Sequence, residues 1–215
     1  MSIADKLTTI AENQQRVYNS GYDMGYQDGF VDAESSGGID VYNHFWDNYQ
    51  QNGNRRHYDF AFAGQGWTNE TFKPKYPIIC TMAERVFGSA KIKNVNVPIR
   101  IERSSISQFM QASEIETFQE LILTRPTSVG SWMHLCERIT EIRITCEGTG
   151  CLGNGADVYC AVSSLSHDSL ISIINALQDL VPLGKTFTFN IGATNKAKLS
   201  TAEIAIATQK GWSVV

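Results

Sequence analysis

Short apolar triplets recur at a nearly constant interval in the middle of the chain, between Val95 and Val162. They are Ile99-Arg100-Ile101, Leu121-Ile122-Leu123 and Ile142-Arg143-Ile144, and they begin 22 and then 21 residues apart. A repeat of about 20–29 residues with one aliphatic strand per unit is typical of leucine-rich-repeat solenoids. The spacing therefore predicts that the triplets are stacked parallel strands. An ordinary α+β domain with evenly spaced strands is the alternative.

The pattern after residue 165 predicts a helix, a strand and a second helix. Ser166 fits an N-cap, and the apolar residues that follow have the spacing of an amphipathic helix of about 14 residues: Leu170, Ile173, Ile174 and Leu177. Residues 186–191 alternate as a strand, and Ser200 with Glu203 forms a capping box that begins the second helix, which ends at Gly211. Such an atypical terminal block fits a cap that closes the open end of a solenoid.

Residues 3–24 show a third pattern, in which apolar positions alternate in steps of four and three residues. This is the seam of a coiled coil. Its members are Ile3, Leu7, Ile10, Gln14, Val17, Gly21 and Met24. Leucine at a with isoleucine at d disfavours two strands, so we predict self-association as a trimer in which Gln14 fixes the register. A single amphipathic helix that packs on its own domain is the alternative.

Composition divides the remainder of the N-terminal half. Ser35-Ser36-Gly37-Gly38 is typical of a hinge, and aromatic residues are abundant after it, four of them at helical spacing: Tyr42, Phe45, Trp46 and Tyr49. The predicted organisation is an oligomerisation and anchoring helix over residues 1–34, a hinge over 35–40, an aromatic helical N-terminal cap over 41–77, a leucine-rich-repeat solenoid over 78–165 and a C-terminal helix-strand-helix cap over 166–215.

Three stretches carry a family resemblance over nearly the whole chain. They are the opening MSIADKLTTIAENQQRVYNSGYDMGYQDGF, the run YNHFWDNYQQNGNRRHYDFAFAGQGWTNETFKPKYPI, and a tail containing LSHDSLISIINALQDL, GATNKAKL and AEIAIATQKGW. They resemble BspA-like leucine-rich-repeat proteins encoded in phages and prophages of gut Firmicutes. The family's F-x-x-C-x-x-L-x-x-I pattern is reduced here to fragments such as Leu135-Cys136-Glu137-Arg138-Ile139. The resemblance implies an α+β chain with an irregular parallel β-solenoid, and a non-enzymatic surface or virion protein.

Charge and hydropathy exclude several classes of function. The net charge is −4 and the lysines and arginines are scattered, which argues against a nucleic-acid surface. No apolar run approaches the length of about 18 residues that a membrane-spanning helix needs, so we expect no membrane insertion. The opening segment, from Met1 to Phe30, lacks the continuous apolar region of a secretory signal. We therefore expect a virion protein made in the bacterial cytoplasm, since virions leave by lysis, and keep the bacterial cell surface as the alternative.

Cys146 and Cys151 form the most site-like local motif, a pair separated by four residues. The pair suits half a metal site or a small disulfide loop, but no second pair completes four ligands. A cysteine-dependent hydrolase is the remote alternative, and it would pair one of these thiols with His134 or His167. No orienting third group and no oxyanion-hole motif accompany them. We therefore predict no enzymatic activity, no metal and no cofactor.

Polar residues that flank the triplets form a candidate binding face. They are Arg100, Glu102, Glu120, Thr124, Glu141, Arg143 and Thr145. Arg100 and Arg143 occupy the middle of their triplets, so they should point outward while the isoleucines point inward. The sequence thus predicts a phage structural protein of tail- or head-fibre type, with itself, other virion or surface proteins and a protein or glycan receptor as partners. A plain solvated face, and a bacterial surface adhesin, are the alternatives.

Overall fold

The structure is a computed structural model that describes residues 56–57, 70–75, 77–80, 86–148, 150–161 and 164–215. These residues form an α+β arrangement with two sheets in which every strand pairing is parallel. The predicted fold class is confirmed at that level. The predicted N-terminal helix with its seven seam positions, the hinge and the first four aromatic residues lie outside the described residues.

Six strands form the larger sheet. They are β1 (Arg56–His57), β2 (Thr71–Phe72), β3 (Ile78–Cys80), β4 (Asn94–Ile101), β5 (Thr117–Leu123) and β6 (Glu141–Cys146). Their order is β1-β3-β4-β5-β6, and β2 also pairs with β4. Two of these strands, β1 and β2, fall within the range 41–77 that the sequence assigned to an aromatic segment.

The apolar triplets lie on adjacent parallel strands, and the third is out of register with the second. The first two triplets pair residue for residue, beginning with Ile99 opposite Leu121. The third triplet is displaced, because Leu121 pairs with Ile144 while Ile142 pairs with Phe118. The prediction of neighbouring parallel strands is therefore confirmed, although the second and third triplets do not align residue for residue. The cause is an extra residue in β5 between Phe118 and Leu121.

Buried side chains recur at nearly the same interval as the paired strands. Three sets of fully or nearly fully buried residues show it: Phe87, Met110 and Met133; Ala90, Ser113 and Cys136; Ile92, Ile115 and Ile139. All of them except Ser113, a buried polar residue, belong to one continuous hydrophobic core that extends from Phe72 to Trp212. Because each strand is too short to bury its apolar face alone, the units are stabilised by packing on their neighbours.

Among the described residues, five that are not glycine have a left-handed backbone conformation, and they recur with the same regularity. Ser89, Ala112 and Leu135 are evenly spaced, and the same interval separates Gln108 from Ser131, with φ between 50° and 63°. This conformation costs an L-residue roughly 1–2 kcal/mol. The interval of 23 residues is the same as that between the paired residues Thr71, Asn94 and Thr117.

Helix α1 (His167–Ala176) packs along the outer edge of β6, the last strand in the order of the larger sheet. The hydroxyl of Ser169 accepts a hydrogen bond from Ile142 N at 2.9 Å, and that of Ser172 accepts one from Ile144 N at 3.2 Å. An uncovered edge strand presents unpaired N–H and C=O groups to solvent and to other chains. Helix side chains therefore occupy the place that a further strand would take.

The C-terminal region is more elaborate than the predicted helix, strand and helix. It contains β7 (Val158–Tyr159), α1, a 3-10 helix (Val181–Leu183), β8 (Phe187–Asn190), α2 (Gly192–Lys196), α3 (Thr201–Gln209) and β9 (Trp212–Val214), and β7, β8 and β9 form the smaller sheet. Both predicted N-caps are confirmed: Ser166 accepts from Ser169 N, and Ser200 with Glu203 forms a complete capping box. Helix α1 has 10 residues and is shorter than predicted, because the backbone becomes extended at Leu177.

Candidate binding face

The candidate binding face is the outward surface of β4, β5 and β6. In β4, Ile99 and Ile101 are fully buried while Arg100 between them is half-buried. In β6, Arg143 is exposed between buried Ile142 and Ile144. The predicted alternation of inward isoleucine and outward arginine is confirmed in both strands.

Arg100 forms a salt bridge that crosses the middle strand. Its Nη2 donates to Oε2 of Glu147 at 2.7 Å, and its Nη1 contacts the other carboxylate oxygen, so the pair is bidentate. Arg100 Nε also lies 3.7 Å from Glu102. Residue Ile122 of β5 is in register between Arg100 and the β6 strand. The two carboxylates therefore satisfy the guanidinium without an external partner, in the geometry that such pairs favour.

A second polar cluster joins β5 to β6. Arg143 Nε lies 3.5 Å from Glu120 Oε1, and the Thr145 hydroxyl donates to the same oxygen at 2.5 Å. The Glu120 side chain is 21% exposed, whereas that of Arg143 is 72% exposed. Glu120 is thus held within the sheet surface, and the arginine remains largely available to solvent.

Thr124 and Glu141 have other neighbours. The Thr124 hydroxyl donates to Ile101 O at 3.1 Å and so links two strands. Glu141 accepts from the hydroxyls of Ser166 and Ser169 at 2.7 and 3.3 Å. Five of the seven predicted face residues therefore lie in two clusters, one around Arg100 and one around Glu120. Glu141 is instead hydrogen-bonded to the N-terminus of α1.

Three adjacent strands carry a column of exposed side chains that the sequence analysis missed, beside two neighbouring irregularities in the sheet. In the first, Asn96 and Val97 of β4 stand opposite the single residue Gln119 of β5. In the second, Gln119 and Glu120 stand opposite the single residue Arg143 of β6. Asn96, Gln119 and Arg143 are all exposed. Bulges of this kind re-aim side chains and are frequent beside functional sites.

Glu147 and a hydrogen-bonded ladder were also missed. Asn94 Nδ2 donates to Thr71 Oγ1 at 3.2 Å, and Thr117 Oγ1 donates to Asn94 Oδ1 at 2.7 Å. The even spacing of these three polar residues was the available signal for the ladder. Glu147 gave none, because its partner Arg100 lies 47 positions away, two units earlier in the chain.

The Cys146 thiol lies against the C-terminus of α1. Its sulfur accepts a hydrogen bond from Cys151 N at 3.2 Å and donates to Ala176 O at 3.6 Å. Burial, with a further contribution from the Cys151 side chain, raises the pKa of Cys146 to about 12, and Lys210 opposes the shift. The group is therefore a protonated thiol at neutral pH, unlike the thiolate of a cysteine nucleophile.

Neither histidine proposed for a thiol enzyme is among the groups that shift the pKa of Cys146. His167 is the first residue of α1 and Ala176 the last, so the helix separates their ends by roughly 13 Å at about 1.5 Å per residue. His167 Nε2 instead lies 2.9 Å from Glu203 Oε1, and the His134 ring is 6.2 Å from the Tyr159 ring. In the described part of the chain, no group of three or more His, Cys, Asp or Glu side chains is arranged to hold a metal ion.

Lys210 is a structural cation that the sequence did not indicate. Its Nζ donates to the carbonyl oxygens of Ile174, Asn175 and Leu177 at 2.9, 2.8 and 3.2 Å. These carbonyls end α1, where a helix leaves acceptors unpaired and favours positive charge. Desolvation lowers the pKa of Lys210. The lysine therefore fastens the end of α1 to the turn that follows α3.

Comparisons with protein-family models, with curated proteins and with solved structures found no match to this chain. Among the helices that the structure describes, none combines the length and the apolar character needed to cross a membrane. A function for the chain therefore rests on its sequence pattern and on the geometry of the described residues.

Proposed function

We propose that this chain is a non-enzymatic structural protein of a phage virion, of tail- or head-fibre type. Its leucine-rich-repeat β-solenoid is displayed for attachment to a protein or glycan of a host or of the environment. The resemblance to BspA-like proteins of phages and prophages supports the class of protein. Parallel strands whose partners recur at a nearly constant interval, as Ile78 with Ile99 and Thr117 with Glu141, support the solenoid.

The exposed column of Asn96, Gln119 and Arg143 is the observation that carries the attachment role. Two amides and a guanidinium offer several donors and two acceptors on adjacent strands. Two carboxylates of this face are already in ion pairs, Glu120 with Arg143 and Glu147 with Arg100. The column is thus a polar surface of moderate charge, which suits a hydroxyl-rich glycan or a polar protein segment better than a polyanion.

The geometry around the cysteines supports a non-enzymatic role. Cys146 has a raised pKa, no histidine among the groups that shift that pKa, and a backbone carbonyl as its hydrogen-bond acceptor. A thiol nucleophile needs an adjacent base or a lowered pKa. The hydrolase alternative therefore receives no support from this site.

Residues 1–34 are proposed to anchor the protein to a symmetric assembly through the heptad seam. Burial of a leucine or isoleucine side chain contributes about 1.5–3 kcal/mol, which offsets the ordering of a helix that is marginal alone. The full chain should sediment as a trimer, and a variant with Leu7→Asp and Ile10→Asp should sediment as a folded monomer. A monomeric wild type, with a double variant that loses the circular dichroism of the sheet, would show instead that this helix packs on its own domain.

Virion membership is tested on particles of the phage, or of the induced prophage, that encodes the chain. Mass spectrometry of purified particles should detect the protein, and labelled antibody should decorate their tails or heads. Detection only in the cell-surface fraction of the bacterium would favour the adhesin alternative.

Attachment is tested with fluorescently labelled full-length protein and cells of the host bacterium. A triple variant, Asn96→Ala, Gln119→Ala and Arg143→Ala, should bind at least about tenfold more weakly than wild type, since polar contacts to desolvated groups are costly to lose. A matched control replaces one exposed residue of each similar type elsewhere: Asn154→Ala, Gln209→Ala and Lys185→Ala. Equal binding by the two triple variants would remove the column from the proposal.

A further inference from the structure

The chain that follows β6 turns back toward the last residue of that strand, so that two cysteines lie in contact. Cys146 is the last residue of β6, and the amide nitrogen of Cys151 lies 3.2 Å from its sulfur. The side chain of Cys151 also interacts directly with the Cys146 thiol. The Cys151 nitrogen is one bond from the Cys151 Cα, and the Cys146 sulfur is two bonds from the Cys146 Cα. The contact between these two atoms therefore places the two α-carbons near the separation of about 4.4–6.8 Å found in disulfides.

We infer that Cys146 and Cys151 are a modification site, at which a reversible disulfide forms by exchange with a small-molecule disulfide such as oxidised glutathione. Formation of this disulfide does not depend on the proposed virion role, because it requires only the local geometry.

The contacts around the pair tolerate the new bond. Oxidation removes the S–H group that Cys146 directs to Ala176 O, but this oxygen keeps the amides of Cys151 and Leu152 at 2.9 and 2.8 Å. The turn between the two cysteines leaves no room for a side chain at Gly150, which has φ of +54° and where a Cβ would lie 2.6 Å from Leu177 O. The backbone therefore already holds the pair together before any bond forms.

The other three cysteines are not accessible for the same reaction. Cys80, Cys136 and Cys160 are fully buried, whereas Cys146 is only partly buried. Cys151 is 2% exposed. Solvent access therefore makes Cys146 the sulfur that reacts first, and Cys151 the resolving thiol.

The exchange proceeds in two steps. The Cys146 thiolate attacks one sulfur of oxidised glutathione, the glutathione S–S bond breaks, and one glutathione leaves with the proton released by Cys146. The Cys151 thiolate then attacks the Cys146 sulfur of the mixed disulfide, and the second glutathione leaves with the second proton. Two protein thiols are oxidised to one disulfide, and one glutathione disulfide is reduced to two thiols.

The test uses full-length protein and oxidised glutathione at mildly alkaline pH. The intact mass should decrease by two hydrogens, the thiols titrated after denaturation should fall from five to three, and peptide mapping should link Cys146 to Cys151. Dithiothreitol should reverse all three changes. Cys151→Ser should retain one glutathione on Cys146, because no resolving thiol remains, and Cys80→Ser should behave like wild type.

Three results would overturn the inference: five thiols after prolonged exposure, a link between Cys136 and Cys160 in place of the expected one, or glutathione that remains on wild-type Cys146. Circular dichroism of the Cys151→Ser variant establishes whether it is folded. If it is not, the peptide map of wild-type protein decides the question alone.

Discussion

The hydroxyl of Ser169 accepts a hydrogen bond from the backbone N–H of Ile142 at 2.9 Å. Ser169 of α1 thereby provides β6 with a hydrogen-bond acceptor that a further parallel strand would otherwise provide. Both residues are buried, with Ile142 and Ser169 each 2% exposed. Water is therefore excluded from this N–H group, and its pairing depends on one side chain.

Replacement of Ser169 by alanine should destabilise the protein, because it leaves the Ile142 N–H buried and unpaired. We expect the free energy of unfolding to fall by about 1–3 kcal/mol in urea denaturation followed by circular dichroism. Ser213→Ala is the matched control, since Ser213 is exposed, and its effect should stay within about 0.5 kcal/mol. Equal effects of the two changes would contradict the role of Ser169.

Two buried tryptophans give a second comparison. Trp212 Nε1 donates to Gln178 O at 2.8 Å, whereas the buried Trp132 Nε1 has no hydrogen-bond partner among the described residues. Trp→Phe leaves a similar space at either site, but only at position 212 does it also remove a hydrogen bond. Trp212→Phe should therefore reduce the free energy of unfolding by about 1–2 kcal/mol more than Trp132→Phe. A larger loss for Trp132→Phe would show that packing outweighs the hydrogen bond.

The left-handed residues lead to a prediction in which one type of substitution has opposite effects at two sites. Ala112 has φ of 56°, a conformation that glycine adopts without steric cost. Ala112→Gly should raise the free energy of unfolding by about 0.5 kcal/mol, because the relief of strain exceeds the added entropy of the unfolded chain. Ala205→Gly, inside α3, should lower it by about 1 kcal/mol. Thermal denaturation of both variants beside wild type measures the two signs, and destabilisation by Ala112→Gly would contradict the prediction.

The reactivity of Cys146 should depend steeply on pH. Burial, with a further contribution from Cys151, raises its pKa to about 12, so the thiolate is a minor species throughout the neutral range. Alkylation by iodoacetamide should accelerate about tenfold per pH unit from about pH 7 to about pH 10, as the thiolate fraction does. Mass spectrometry of peptides from the native full chain measures the rate, and fully buried Cys80 should stay unmodified. A plateau near neutral pH would indicate an activated nucleophile and revive the thiol enzyme.

Sequence pattern predicted those features that a single residue or its immediate neighbours determine. The capping box at Ser200 and the buried isoleucines on either side of Arg100 are local, and both were predicted. The register between β5 and β6 was not, because an extra residue beside Gln119 shifts it by one position. A period-2 pattern with one inserted residue still resembles a strand, so its partner alignment is not visible in the sequence.

The candidate site shows the same division. Arg143 was predicted to face outward because its neighbours in sequence are apolar. Asn96 and Gln119 join it through the register of three strands, in which Val95 pairs with Phe118 and Phe118 with Ile142. The contacts of Lys210 with the end of α1 depend on residues 33 to 36 positions away. Such contacts follow from tertiary packing and leave no local signature.

The regular interval between paired strands has a consequence for folding rate. Thr71 pairs with Asn94, and Asn94 with Thr117, and in each pair the two residues are 23 positions apart. Divided by the length of the chain, this separation is about 0.11. That value lies in the range of relative contact order found for helical bundles, whereas most β proteins have larger values and fold more slowly. We therefore expect this sheet, although wholly parallel, to form by sequential addition of neighbouring strands, with a small entropic cost for each loop closed.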